Sequence, residues 1–249
     1  MPEVAIINQS TVVSDTDGIN ITNALNIVLP QFCSDWSLAP TTCVYVKKGS
    51  TTSVPLKIFL LDTADVSGAL AYHDELNDVP YGKAFAKTVL ADGGVLLYSA
   101  NPSVPTFAQA VCHELFEMLM DPYCNSWAML ADGVTQYAYE VCDPVESNPV
   151  TVQVQTGTIT KGALLTKTIV PVYSKVGLSD WVLPKWFDTQ AVQGPFNHNN
   201  TLKAPLTIDK NGYVISLTGG TSKTVWGETI TEERKAAISA KLRVKKRIE

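Results

Sequence analysis

The chain has 249 residues, of which 45% are hydrophobic and 17% charged, with a formal net charge of -5. That length can bury one substantial core or two small ones. The acidic balance argues against a nucleic-acid partner, and no apolar run approaches the roughly 18 residues that span a bilayer. Met1-Pro2-Glu3-Val4 lacks the basic start and apolar stretch of a signal peptide, so a cytoplasmic location, or one in something assembled there, is expected. Five cysteines, with no Cys-x-x-Cys pair, argue against a disulfide framework. Cys112 and Cys142 lie in apolar segments and are expected to be buried thiols.

Val4 to Ile7 reads as a short strand. Ser14-Asp15-Thr16-Asp17 is a capping cluster, and Ile21, Ala24, Leu25, Val28 and Leu29 follow at helical spacing until Pro30 interrupts. Thr42 to Lys47 and Leu56 to Leu61 read as buried strands. Leu70 to Tyr72 begins an edge strand, followed by a loop from His73 to Asp78. Ala84 to Val89 and Val95 to Tyr98 read as two further strands. A helix is expected over 105–121: Thr106-x-x-Gln109 is a capping box, and Asp121-Pro122 stops the helix. Strand-like runs follow at Tyr137 to Val141, Thr151 to Gln155, Ile169 to Tyr173 and Val214 to Leu217. A last helix starts near Thr229-x-x-Glu232, and the basic run Lys241 to Arg247 reads as a solvated end. The fold class is α+β. A mixed sheet with a central helix occupies 1–145, and a β-rich part over 146–249 packs on it, as a second unit or within one domain.

The helix from Phe107 to Met120 is apolar around most of its circumference, which marks it as buried. It nonetheless carries His113, Glu114 and Glu117. An uncompensated buried carboxylate costs several kcal/mol. No lysine or arginine occurs between Lys87 and Lys161, so a divalent metal ion is the simplest compensator. His113 and Glu117, one turn apart, share a face, with Glu114 rotated by about 100 degrees. In His-Glu-x-x-His metal sites the first and fifth positions bind zinc and the second is the general base. A further ligand is sought in Glu140 first and Asp143 second, with His73 and Asp74 as additional candidates. His198 is expected to be a loop histidine.

These residues resemble the zincin metallopeptidases, in a variant with glutamate at the fifth position. The chain is also similar to an uncharacterised family of bacterial and phage proteins. The matching stretches are Tyr72-His73-Asp74, Pro80-Tyr81-Gly82, His113-Glu114-Leu115-Phe116-Glu117-Met118-Leu119, Asp121-Pro122, Glu140-Val141-Cys142-Asp143-Pro144 and Leu178 to Asp188. The resemblance implies a zincin-like mixed sheet with an active-site helix and a divalent metal, zinc first. It further implies a hydrolase acting on a peptide or protein, with Glu114 as base and Tyr139 or Tyr81 near the oxyanion. The alternative is a non-catalytic structural or interaction protein, such as a virion component contacting other virion subunits or its own copies. Trp181, Trp186 and Phe187 would then serve an interface, or else pack in the core. Glu117 in place of histidine leaves a bound zinc near neutral, so it polarises water less, and the site tilts toward harder ions such as Mn, Mg or Ca.

Overall fold

The short apolar runs of the first half assemble into one mixed five-stranded sheet, as seen in a computed structural model that describes residues 1–161 and 168–244. Its strands are β1 (Glu3–Asn8), β2 (Thr42–Val46), β3 (Leu56–Leu61), β4 (Ala71–Leu76) and β5 (Val79–Phe85), in the order β2-β1-β3-β5-β4. The pairs β1/β2, β1/β3 and β3/β5 are parallel, and β4 runs antiparallel to β5 at the edge. Helices α1 (Asp15–Asp35), α2 (Ala86–Ala91) and α3 (Phe107–Met120) accompany this sheet. Beyond it lie β6 (Trp127–Met129), β7 (Thr135–Ala138), the ribbon β8 (Pro149–Lys161) and β9 (Thr168–Ser179), then β10 (Tyr213–Thr218), β11 (Thr221–Trp226) and α4 (Glu232–Val244). A second sheet has the order β11-β10-β7-β6. Among the described residues no helix is long and apolar enough to cross a membrane. Of the basic run at 241–247, residues 245–247 lie outside the described residues.

Several elements differ from the sequence expectation. The segment His73 to Asp78, expected as a loop, is the body of β4 and its turn. Asn77 and Asp78 both have positive φ, at 54° and 62°, the left-handed pair that a two-residue hairpin needs. Pro30 does not end α1: it sits on the exposed side, and the helix continues to Asp35. A proline inside a helix costs about 3 kcal/mol. Burying Phe32 and Cys33 in the turn beyond it offsets this, since one large apolar side chain contributes roughly 2 kcal/mol. Ala84 to Val89 is not a strand throughout, because β5 ends at Phe85 and α2 begins at once. Val95 to Tyr98 retains one bridge, Val95 to Thr106.

One continuous apolar core runs from Val4 on β1 to Val214 on β10 and takes in α1, α3 and the base of the ribbon. At its centre the Phe32 and Phe116 rings stack at 3.9 Å, and Trp181 meets both edge-on at 5.6 and 5.1 Å. Trp181 and Trp186 are fully buried inside the chain, so neither presents a surface to a partner. Asp180, beside Trp181, accepts from Asn148 and Asn197 side chains and from the Trp181 and Asn199 backbone N–H groups. Burial nevertheless pushes its carboxyl up to about 7. The outer part of the ribbon leaves the core, exposing Ile159, Ile169 and Tyr173.

Candidate metal centre

Helix α3 is held at both ends by the residues that the sequence marks. The Thr106 hydroxyl accepts from the Gln109 N–H at 3.0 Å and donates to the Gly177 carbonyl at 3.0 Å, tying the helix start to β9. At the other end the Asp121 N–H donates to the Glu117 carbonyl at 2.7 Å. The Asp121 carboxylate accepts from the Asn125 and Ser126 N–H groups. Between these anchors α3 packs against β4 and β5 on one side and β9 on another. His113, Glu114 and Glu117 are buried, at 5%, 1% and 0% exposure. So little exposure leaves little solvent to hold those charges, and the side chains meet one another instead.

The structure brings five of the expected metal donors into one cluster, together with Glu114, the expected base. His113 Nε2 lies 3.0 Å from Glu117 Oε1 and 3.1 Å from Asp143 Oδ1. His73, on β4, places Nδ1 3.1 Å from Glu114 Oε2 and 3.8 Å from Glu117 Oε2. His113, Glu117 and Cys142 form one group whose ligand atoms lie within 4.8 Å of one another. His73, Glu117 and Glu140 form a second. A tetrahedral zinc with bonds near 2.0 Å sets its ligand atoms about 3.3 Å apart. The distances from His113 to Glu117 and from His113 to Asp143 are each close to that edge, so each of these pairs suits a shared divalent ion. These buried His, Glu and Cys groups can hold a metal ion. Burial, with Glu117 beside it, pushes the Cys142 thiol up. Asp74, one residue from His73, points to the other face of β4, as strand alternation requires, and its carboxylate accepts from the Glu75 N–H. Tyr81 pairs with Asp74 in register and lies on that side. His198 stacks on Trp181 at 3.9 Å, outside the cluster.

Two residues at the centre escaped the sequence reading. Tyr213, at the start of β10, is 1% exposed and lies close to Asp143. Burial pushes its hydroxyl well up, and the carboxylates of Asp143, Glu146 and Glu117 push it further. Arg234, on α4, pairs with Glu146. Both come from the distant end of the chain, where no local pattern points back to α3. A cleft of about 500 Å³ opens onto His113, Glu114 and Tyr213, with Gly68 to Ala71 leading into β4 along one wall and α4 along another. Ile238 fixes α4 against Tyr213 and Ile215.

The loop that carries Asp143 leaves no spare room. A Cβ on Gly212 would run into the Pro144 carbonyl oxygen and come within 2.8 Å of the Asp143 carbonyl oxygen. Backbone oxygens cannot swing aside as a side-chain end can. Gly212→Ala is therefore expected to destabilise the fold by about 1–3 kcal/mol, read as a lower urea midpoint. An unchanged midpoint would mean that the Asp143–Pro144 backbone yields to the added methyl group.

Compared with family models, curated proteins and solved structures, the chain finds no match.

Proposed function

We propose that this protein is a zincin-like, metal-dependent hydrolase that acts on a peptide. The observation that carries the reading is the buried cluster of His113, Glu117 and Asp143, which a cleft reaches at His113 and at the neighbouring Glu114. Two further features support it. The sheet order, with its antiparallel edge strand β4 next to α3, suits a zincin-like subdomain. Residues 68–71, leading into that edge, line the same cleft as His113 and Glu114. An extended peptide bonded along the edge would lie within reach of both side chains.

In this reading His113, Glu117 and Asp143 hold the ion. A divalent ion there supplies Lewis-acid polarisation of a water or a carbonyl. Glu114 takes a proton at its carboxylate and hands it to the leaving amine. Tyr213 lies beside Asp143, where it would help to orient that carboxylate. The enclosing walls of α3 and α4 exclude bulk water and strengthen each of these interactions.

A second reading, a non-catalytic interaction protein that keeps the scaffold, draws on the outer part of the ribbon, with Ile159, Ile169 and Tyr173 exposed. One experiment separates the two. Protein purified without chelator is assayed for bound metal and for cleavage of a peptide library, as wild type and as Glu114→Gln. The hydrolase reading expects both to carry metal and the variant to lose about 10²–10⁴ of the rate. Metal in both and cleavage in neither would favour the interaction protein. Equal cleavage by both would remove Glu114 as the base.

A further inference from the structure

Helix α4 reaches the cleft from the far end of the chain and touches both of its flanks. On one flank, a Cβ added to Gly68, ahead of β4, would come within 2.7 Å of the Ala237 Cβ. On the other, the Arg234 guanidinium pairs with Glu146, in the loop that carries Asp143. Gly68, Glu146, Arg234 and Ala237 all line the cleft, together with His113 and Glu114 on α3. The helix therefore bridges the cleft from the approach to β4 to the Asp143 loop. A chain laid along residues 68–71 meets α4 at Gly68.

The hold on α4 is slight for a helix. Over residues 232–239 Ile238 is the one buried side chain, seated with Tyr213 and Ile215. Glu232, Glu233 and Ala236 are exposed. Helix α3, by contrast, is buried along most of its length. A helix with so narrow an apolar stripe draws little stability from packing. The Arg234–Glu146 pair is partly open to water, with side-chain exposures of 27% and 21%, and such pairs hold weakly. Segments with few buried apolar contacts open locally at lower free energy than the core.

The chain just before α4 is fixed, which sets where such an opening would pivot. The Gly227 N–H donates to the Gly212 carbonyl at 2.7 Å, and the Thr229 N–H to the Lys210 carbonyl at 3.0 Å. The Thr229 hydroxyl bonds Asn211 Oδ1 at 2.6 Å. The helix begins at Glu232, with the Thr231 hydroxyl accepting from the Arg234 N–H at 3.2 Å. Ile230 and Thr231 lie between the pinned segment and the helix.

We propose that α4 is a hinged strap across the cleft, pivoting at Ile230–Thr231 and latched by the Arg234–Glu146 ion pair. Seated, it closes the cleft beside Gly68; lifted, it frees residues 68–71 to receive an extended chain. That the entering chain is a peptide rests on the hydrolase reading, whereas the strap itself does not.

The test reads the opening without any cleavage. A reporter cysteine is placed on the cleft side of α3 as Ala110→Cys, and its labelling by a bulky thiol reagent is timed in the full chain. The five native cysteines are buried and serve as internal controls. Adding Arg234→Ala is expected to speed reporter labelling about two- to fivefold, the worth of a partly exposed ion pair. Arg234→Lys is expected to fall between the two, and added salt to narrow the difference. Equal rates with and without Arg234→Ala would overturn the latch. Core cysteines that label as fast as the reporter would mean that the chain opens as a whole, and would overturn α4 as a separate moving part. Hydrogen exchange on the unsubstituted chain reads the same motion, with α4 amides expected to exchange well ahead of those of α3. Equal protection of the two helices would overturn the strap. Each of these results leaves the hydrolase reading where it stands, and loss of that reading leaves each of them in force.

Discussion

Stripping bound metal with a chelator is expected to lower the melting temperature by on the order of 10 °C, and returning the metal is expected to restore it. An ion present at 1,000 times its dissociation constant stabilises the native state by about 4 kcal/mol. In a chain of this length each kcal/mol moves the midpoint by about 2–4 °C. The physical source is the cluster of Glu114, Glu117, Glu140 and Asp143, which the fold encloses almost completely. Without an ion these groups must take up protons or let water in, and either route loosens α3 from β4 and from the Asp143 loop. The measurement is a thermal scan with and without chelator, with magnesium and zinc tested separately on re-addition. A midpoint that does not move on complete metal removal would separate the cluster from metal binding altogether.

Trp181→Ala is expected to cost about 3–5 kcal/mol, the range for emptying a fully buried large aromatic site. Its ring closes the edge of the Phe32–Phe116 stack and stacks on His198. Its indole N–H also donates to Asp35 Oδ2 at 3.0 Å, at the end of α1. Truncation therefore removes dispersion contacts with both long helices and leaves a void that stiff neighbours cannot fill. Phe116 precedes Glu117 on α3, so the void opens on the side of the helix that sets the rotation of its charged residues. Trp181→Phe keeps most of the volume but loses the bond to Asp35, and is expected to cost about 1–2 kcal/mol. Denaturant midpoints measure both losses. A loss below about 1 kcal/mol for Trp181→Ala would mean that the core collapses around the void.

The parts of the centre carried by one helix were legible because their signals are local. Thr106, Gln109 and Pro122 bound α3 by cap and stop chemistry, and the i, i+4 spacing alone places His113 and Glu117 on one face. Glu140 and Asp143 stood out as acids in an apolar run. His73 was harder to read, because the polar string His-Asp-Glu looks like a loop while it forms an edge strand whose alternate side chains enter the interior. That alternation also separates His73 from Asp74. Tyr213 and Arg234 had no local signal: each meets the centre through packing across some 70 or more residues of chain, and only the tertiary fold brings them there. The helix α2 was read as a strand because Phe85 and Val89 fit both periods over so short a run.

The cleft wall carries Asp92, Glu114, Glu146 and Glu233 against Arg234. Low-dielectric walls of one predominant sign focus the field and concentrate ions of the opposite sign at the mouth. On the proposed hydrolase reading, divalent cations and lysine- or arginine-rich chains are expected to be drawn in before any contact forms, and phosphorylated or acidic chains to be turned away at a distance. At physiological ionic strength such a field fades over about 8 Å. Added salt thus slows capture while the donor atoms themselves stay as they are.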